Sequence, residues 1–259
     1  MEVHHHPQLE HKPKPWKEYI LEYIMIVLAV TTGFFAETIR EGIVHKEKEQ
    51  QQMESLVNAL KSDSAQLQFV IKMNDTIVKS LTSLTGLRKL KDTDSGFLQK
   101  FYDYSAVGII NDVYFRTNDA ALQEMKSSGI IGALKKRYIA DSIFLYQQNN
   151  NILQMQEADC YFVFKELYLL FSHNVDFNYF SDTSHVTNIV GEQNVIFFRF
   201  KNYRDLTIPS DKTAQKNIFS SAGAAKVSNL AYITLLKNQL EYNKRLTALL
   251  QKEYDIENK

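Results

Sequence analysis

The sequence predicts an all-α protein, in which one N-terminal transmembrane helix continues as a long stalk into an antiparallel helical bundle. The interval from Trp16 to Ile208 contains no proline, a residue that breaks helices. Residues 23–36 carry no charge. Further along, apolar residues recur at spacings of three and four, which places them on one face of a helix.

Residues 19–39, YILEYIMIVLAVTTGFFAETI, form the only segment apolar enough to span a membrane. A helix of about 20 residues crosses a hydrocarbon layer of about 30 Å. Glu22 lies one turn inside the start, where its carboxylate still reaches the headgroups. Aromatic residues flank the run, as membrane-interface anchors do: Trp16, Tyr19, Tyr23, Phe34 and Phe35.

A cleaved signal peptide and a buried core helix are the alternatives to this anchor. A signal peptide has a short apolar run and small residues at the cleavage site, whereas this run is long and Phe34 interrupts the small-residue pattern before Ala36. A core helix needs apolar neighbours on all sides, and no other segment of the chain is apolar enough to supply them. We therefore expect an uncleaved anchor.

The orientation of the anchor rests on the flanking basic residues. Lys12, Lys14 and Lys17 precede the span, and Arg40, Lys46 and Lys48 follow it. The numbers are equal, but the leading lysines are more tightly clustered, which favours a tail on the inside of the membrane and a body on the outside.

Small residues within the span stand four apart: Ala29 and Gly33, and also Thr32 and Ala36. This spacing lets two span helices approach closely, although small residues that simply face lipid explain it equally well.

Composition excludes several classes of function. The 259 residues include 30 basic and 30 acidic side chains, so a strongly charged partner such as a nucleic acid is not expected. Cys160 is the only cysteine, which rules out an intrachain disulfide and a cysteine-based zinc site. Its apolar neighbours predict a buried, inert thiol.

The domain organisation has three parts. Residues 1–15 read as a disordered tail rich in histidine and proline, residues 16–40 as the transmembrane anchor, and residues 41–259 as the helical bundle domain. Histidines in the tail could bind a transition metal, but adjacent histidines cannot all face one ion, so we favour a solvated tail. These histidines are His4, His5, His6 and His11.

A single helix is predicted from Trp16 to about Leu84, with a bend at Gly42. Its apolar seam comprises Met53, Val57, Leu60, Leu67, Ile71, Val78 and Leu81, with Ser64 and Asn74 in two slots of the same seam. A break follows from Gly86 to Gly96. Asp94 and Ser95 are the expected caps of a short helix that contains Phe97, Leu98, Phe101 and Tyr102.

Further helices are predicted toward the C-terminus. Thr117 or Asn118 is the expected N-cap of a short helix that ends before Gly129, with Leu122 and Met125 on its apolar face. A second long helix is expected from Gly132 to Phe171, loosened at residues 149–151.

Residues 172–221 are expected to be mostly loop, with a short helix near residues 212–219. A strand at residues 195–200 would need a partner strand. The closing helix is expected at residues 224–254, with its apolar face on Val227, Leu230, Ile233, Leu236, Leu240, Leu246 and Leu250.

Two stretches resemble a family of single-span, membrane-anchored helical proteins of Gram-negative bacteria that is classed as a domain of unknown function. The N-terminal MEVHHHP and KEYILEYIMIVLAVTTGFFAETIRE resemble the family's start, and NDAALQEMKSSG at 118–129 is similar to its second signature. Ala121 replaces an aromatic residue that is usual there. The resemblance implies a native histidine-rich start, a membrane location and a helical body; it implies no activity.

No motif carries recognisable chemistry. Residues of hydrolase or metal-site type collect in the irregular segment without defined spacing: His173, Asp176, Asp182, Ser184 and His185. Glu124 and Lys126 could form a polar site but fit a helix surface better. Tyrosines are expected to pack in the bundle with their hydroxyls at the surface. We therefore assign no catalytic, cofactor-binding or metal-binding residue.

The expected function is that of a membrane-anchored interaction or scaffold protein rather than an enzyme. Its expected partners are the lipid bilayer and either a second copy or another protein, bound through helical faces. A ligand-sensing bundle that signals through a separate partner is the alternative, and an enzyme using the His173–His185 segment is the third hypothesis.

Overall fold

The computed structural model describes residues 15–90, 94, 96–175, 184–190, 193–199 and 207–257. Within them the chain is all-α apart from one hairpin, as predicted. The helices are α1 (Trp16–Gly86), α2 (Phe97–Gly108), α3 (Ala120–Ser127), α4 (Ile130–Ala133), α5 (Arg137–Asn174) and α6 (Lys212–Glu253). A short 3-10 turn covers Leu87–Lys89, and the hairpin comprises β1 (Ser184–Val190) and β2 (Gln193–Arg199).

The chain divides into two compact units, residues 1–51 and residues 52–259. In the described part of the first unit, every side chain from Trp16 to Lys48 is exposed. The described residues contain one helix that is long and apolar enough to cross a membrane, and its apolar run is not buried within the chain. The chain therefore does not use this run as a core helix. The predicted tail, residues 1–15, lies almost wholly outside the described residues.

Helix α1 is continuous from Trp16 to Gly86, so the predicted long helix is confirmed and Gly42 does not interrupt it. Its buried positions in the second unit correct the predicted seam. Ten of them alternate by three and four: Met53, Leu56, Leu60, Asp63, Leu67, Val70, Asn74, Ile77, Leu81 and Leu84. This is the heptad spacing of helices packed side by side. Gln52, Val57 and Ala59 are buried as well, so Val57 lies in the core as predicted. Ser64, Ile71 and Val78 are only half-buried.

Helices α5 and α6 follow the same alternation and pack antiparallel. Tyr242 Oη donates to the Ser142 carbonyl at 3.2 Å, and Gln239 Nε2 donates to Asn150 Oδ1 at 2.6 Å. Further along α5, Cys160 Sγ lies 3.2 Å from the hydroxyl of Ser228 in the first half of α6. Ascending positions on α5 thus meet descending positions on α6.

Two apolar clusters form the core of the second unit. The first cluster joins the α1 residues around Met53 and Leu60 to α3, α4, the start of α5 and the end of α6. The second cluster joins the α1 residues from Leu67 to Leu84 to α2, the later part of α5 and the earlier part of α6. Burial of these side chains is the main stabilising contribution to the bundle.

The predicted helix caps are partly wrong. The N-cap of α2 is Gly96, at φ 78°, and the Asp94 carbonyl accepts from the Phe97 amide at 3.1 Å. Ser95 lies outside the described residues. Asp119, rather than Thr117 or Asn118, holds the N-cap position of α3. The Thr117 hydroxyl and the Asn118 backbone amide both donate to Asp63 of α1. Gly129 follows α3 at φ 73°, as predicted.

Helix α5 begins at Arg137 rather than Gly132, and the preceding residues form α4. It is not loosened at residues 149–151, because Asn150 is held in a buried hydrogen-bond network.

Much of the segment predicted as loop is regular. Strands β1 and β2 pair antiparallel, with Asn188 opposite Val195, so the suspected strand has its partner. The two helices predicted at 212–219 and 224–254 are one helix, α6. It begins where Asp211 Oδ1 accepts from the Thr213 amide at 2.8 Å.

Candidate functional site

A buried polar layer crosses the second unit between its two apolar clusters. We define it by Asp63 of α1, Tyr146 and Asn150 of α5, and Gln239 and Asn243 of α6. Each of these residues is at most 5% exposed. They occupy the buried heptad slots of their helices, so the polar groups of three helices meet at one level of the bundle.

Asp63 is the acceptor at the centre of this polar layer. Its Oδ1 accepts the Asn118 amide N–H at 2.8 Å, and its Oδ2 accepts the hydroxyls of Thr117 at 2.9 Å and Tyr146 at 2.7 Å. The carboxylate thereby attaches the segment before α3 to α1 and α5.

Burial is the main influence on the protonation of Asp63 and Tyr146. It raises the pKa of Asp63, although the hydrogen bonds from Asn118, Tyr146 and Thr117 partly oppose the increase. The pKa of Tyr146 is also raised, first by burial and then by the nearby Asp63 carboxylate. Tyr146 therefore keeps its proton and remains a donor.

Amide side chains extend the polar layer from α5 to α6. Gln239 Nε2 donates to Asn150 Oδ1 at 2.6 Å and to the Tyr146 carbonyl at 3.3 Å, while Asn150 Nδ2 donates to Thr117 Oγ1 at 3.3 Å. Asn243 Nδ2 makes a long contact of 3.4 Å with the Tyr146 hydroxyl. In the described structure, Gln239 Oε1 and Asn243 Oδ1 have no hydrogen-bond partner.

The polar layer can position helices, but it is closed to substrates. A slip of α1 by one turn would bury Asp63 among apolar side chains without its donors, which is strongly unfavourable. Its three hydrogen-bond donors within the described residues are an amide and two hydroxyls, none of them cationic. The arrangement therefore fixes the register of α1, α5 and α6.

Two further buried contacts hold the extended segment between α2 and α3. Asn74 Nδ2 donates to the Val113 carbonyl at 2.8 Å, and the Phe115 amide donates to the Tyr232 hydroxyl at 2.9 Å. The buried Tyr146 and Tyr232 thus direct their hydroxyls to internal partners, so the expectation of a hydroxyl at the surface is wrong for Tyr146. Tyr138, Tyr161 and Tyr168 are exposed, as expected. Cys160 is buried as predicted, and burial raises the pKa of its thiol.

The outer face of α5 is the second notable feature. Opposite its buried side, this helix exposes a row of large apolar side chains, with exposed fractions from 43% to 72%. We define the outer face of α5 as Tyr138, Phe144, Leu145, Ile152, Met155, Phe162 and Leu169. A surface helix in a monomer normally presents a polar face to solvent. Helix α5 instead exposes apolar side chains on its outer side as well, and these alternate with the exposed polar residues Asp141, Gln148, Asp159 and Glu166.

A surface groove of about 450 Å³ lies between the end of α1 and the beginning of α6. Its lining includes three cationic side chains, Arg88, Lys89 and Lys226, together with the hydroxyls of Thr82, Thr85 and Ser220. No carboxylate is among the described residues that line it. The groove therefore suits an anion better than a cation or a neutral apolar molecule.

The residues weighed for chemistry do not assemble into a described site. His173 is exposed near the end of α5, while Ser184 and His185 lie on β1. Asp176, Asp182 and the tail histidines lie outside the described residues. Where the structure is described, no group of three or more histidine, cysteine, aspartate or glutamate side chains could hold a metal.

The second signature forms a helix surface, as favoured. Glu124 is exposed and accepts from Gln52 Nε2 at 3.2 Å, and Lys126 is half-buried.

Asp63 was missed because the predicted seam took the other phase of the same spacing on α1. A step of four from Leu60 leads to Ser64, whereas a step of three leads to Asp63, which is the buried residue. The same count on α6 leads to Asn229, Gln239 and Asn243 and excludes Val227 and Leu230, which are exposed.

Comparison of the chain with protein-family models, curated proteins and solved structures gives no match. The family resemblance at the N-terminus and at residues 118–129 therefore stays a prediction.

Proposed function

We propose that this protein is a membrane-anchored helical interaction protein, with its body on the periplasmic side of the inner membrane. The apolar run of α1 serves as the anchor, and the outer face of α5 serves as the surface that binds a protein partner. The apolar outer face of α5 is the observation that carries this proposal.

The exposed residues of the first unit support the anchor. Large apolar side chains are exposed throughout the run, among them Met25 at 63%, Phe34 at 72% and Phe35 at 67%. Such an extended apolar surface is unfavourable in water and favourable in lipid. The hydroxyls of Thr31 and Thr32 donate hydrogen bonds to the carbonyls of Val27 and Leu28, both at 2.7 Å. These hydroxyls are therefore paired without water.

The outer face of α5 supports a protein partner for the body. Its apolar side chains stand in two rows of seven-residue spacing, Leu145 with Ile152, and Met155 with Phe162 and Leu169. A seven-residue repeat is what a partner helix requires for knobs-into-holes packing. The rigidity of α5, packed on α6 by its other side, presents this face without a folding cost on binding.

Protease accessibility tests the topology. A C-terminal epitope should be digested in intact spheroplasts if the body lies in the periplasm. Protection until lysis would place the body in the cytoplasm and overturn that part of the proposal. Extraction of the protein from membranes by alkaline carbonate, without detergent, would contradict the anchor.

Site-specific photocrosslinking in membranes tests the binding surface. A benzophenone amino acid at Met155 should yield discrete adducts, whereas the same group at Lys237, exposed on α6, should yield none. Equal labelling from both positions, or none from either, would refute a binding role for the outer face of α5.

The groove beside α6 favours a second candidate function, a ligand-sensing body that signals through a separate partner. The class of ligand would be a small organic anion held by Arg88, Lys89 and Lys226. Thermal-shift screening of the full chain against phosphorylated and carboxylated metabolites tests it. An anion that stabilises the wild type but not the Arg88→Ala/Lys226→Ala variant would support sensing, and no shift across the panel would dismiss it.

A further inference from the structure

The groove between the end of α1 and the beginning of α6 carries an unbalanced positive charge. Arg88 and Lys89 reach it from the 3-10 turn that follows α1, and Lys226 reaches it from α6. None of these three side chains forms an ion pair with another described residue. Three cations that share a space of about 450 Å³ repel one another, so an anion with more than one negative charge would stabilise them most.

The number of cations indicates the kind of anion. A phosphate monoester carries a charge of about −1.5 to −2 at neutral pH and presents three strong acceptor oxygens. A carboxylate has a single charge and two oxygens. Because the cations approach from the turn and from α6, a group with three oxygens can accept from all of them. The charge of the groove therefore suits a phosphate monoester better than a carboxylate.

The threonine hydroxyls on the α1 side of the groove are acceptors. Thr82 Oγ1 donates to the Val78 carbonyl at 2.7 Å, and Thr85 Oγ1 donates to the Thr82 carbonyl at 3.0 Å. Since both hydroxyl hydrogens are used on the backbone, only the lone pairs of these oxygens are left for a ligand. A ligand must therefore bring donors of its own, and a cationic donor would be repelled by the three cations. Hydroxyl groups are the donors that fit.

The size and the remaining lining of the groove suit a compact polar molecule. Small-molecule sites commonly enclose about 300–1,000 Å³, a range that includes this groove. Gly86 and Gly223 belong to the lining, and a Cβ added at either position meets no atom within 4 Å. Among the described lining residues, only Phe219 and Val227 are large and apolar. They are too few for an apolar metabolite, but they can pack against the carbon atoms of a polyol.

We infer that this groove binds a phosphate monoester of a polyol, which is the chemistry of a sugar phosphate. The phosphate lies among Arg88, Lys89 and Lys226, and hydroxyl groups of the polyol donate to Thr82 and Thr85. This inference rests on the second candidate function, because it narrows the ligand of the same groove from organic anions to one class. It does not depend on the outer face of α5.

Isothermal titration calorimetry of the full chain in mild detergent tests the inference with four soluble probes. Glucose 6-phosphate has both features of the ligand. Inorganic phosphate lacks the polyol, gluconate replaces the phosphate by a carboxylate, and glucose lacks the anion. Glucose 6-phosphate should bind about tenfold more tightly than each of the other three. Phosphatidylglycerol in mixed micelles presents hydroxyl groups on a lipid phosphodiester with a single charge, and it should not compete.

Variants of the cations locate the binding site. Arg88→Ala/Lys226→Ala should weaken the binding of glucose 6-phosphate by about tenfold or more, because it removes two charged donors. The matched control is Lys135→Ala/Lys237→Ala, which removes two exposed lysines outside the groove lining and should leave the affinity unchanged.

Two further variants test shape and hydroxyl recognition while every charge is retained. Gly223→Leu fills the open space with a better helix former, so it should abolish binding with an unchanged helical spectrum. Thr82→Val/Thr85→Val removes the two acceptors. It should weaken the binding of glucose 6-phosphate by about threefold and leave that of inorganic phosphate unchanged.

The failure of this inference differs from the failure of the second candidate function. Equal affinity for glucose 6-phosphate and gluconate would overturn the phosphate monoester and leave an anion-sensing body in place. Binding of inorganic phosphate as tight as that of the ester, or competition by phosphatidylglycerol alone, would also overturn the inference. Absence of binding by every anion would overturn both. Binding of glucose 6-phosphate that survives Arg88→Ala/Lys226→Ala and Gly223→Leu would place its site outside this groove and overturn the inference.

Discussion

Replacement of Asp63 by alanine tests the polar layer most directly. The change removes the acceptor of three donors: the Asn118 amide at 2.8 Å, the Thr117 hydroxyl at 2.9 Å and the Tyr146 hydroxyl at 2.7 Å. A buried donor left without an acceptor costs about 1–3 kcal/mol. The variant should also leave a small cavity between the two apolar clusters.

Two effects reduce this loss. The hydroxyls of Thr117 and Tyr146 can rotate toward other acceptors, whereas the Asn118 amide is fixed in the backbone. Loss of the carboxylate also removes the cost of keeping a charge buried. We expect a net loss of about 2–4 kcal/mol in the free energy of unfolding.

Urea unfolding of the full chain in mild detergent, followed by circular dichroism, measures this loss. Asp63→Asn is the matched comparison, because its carbonyl still accepts from Asn118 and its amide can donate to the two hydroxyls. It should remain within about 1 kcal/mol of the wild type. Asp141→Ala, an exposed change on α5, should have no effect within error. Loss of less than about 1 kcal/mol in Asp63→Ala, or equal loss in Asp63→Asn, would refute the reasoning.

The contribution of Asp63 to the stability of the fold should depend on pH with a defined sign. The pKa of Asp63 is raised in the folded state above its ordinary 3.8, so protonation favours folding. Its contribution is complete below the unfolded pKa and is lost as the pH rises through the folded pKa. The stability of the wild type relative to Asp63→Asn should therefore fall as the pH rises from about 4 toward neutrality. An increase over that interval would contradict the assigned shift.

Three further predictions concern other positions. Asn243→Leu should be neutral or stabilising in urea unfolding, since it removes a buried oxygen that has no hydrogen-bond partner. Gln239→Leu should cost about 1–2 kcal/mol in the same assay, because it leaves Asn150 Oδ1 on α5 unpaired. Gly129→Ala should cost about 1 kcal/mol, because Gly129 has a positive φ, and its melting temperature should fall. Gly223→Ala has open space around the added methyl group, so it should stabilise α6 by about 0.5–1 kcal/mol and raise the melting temperature. Cys160 should react with an aromatic disulfide at least tenfold more slowly in the native chain than in urea, and equal rates would contradict its burial.

The helices were predictable because each signal is local. Proline is missing from Trp16 to Ile208, and the apolar run and the spacings of three and four lie within single segments. The errors occurred where local signals compete. Asn150 lies among asparagines that suggest a loosened helix, yet its side chain has partners on α6 and on the segment before α3, which keeps α5 intact.

The sequence by itself determined the long helices, the apolar run of α1 and the heptad spacing, because proline content, hydropathy and periodicity follow from the order of residues. Only the tertiary structure decided that Asp63, Tyr146, Asn150, Gln239 and Asn243 share one buried layer. Residues on three helices, up to 180 positions apart, become neighbours only after the helices pack (Asp63 to Asn243). The same packing decided which side of α5 remains outside, because burial depends on which neighbours a helix has, and an isolated sequence does not contain them.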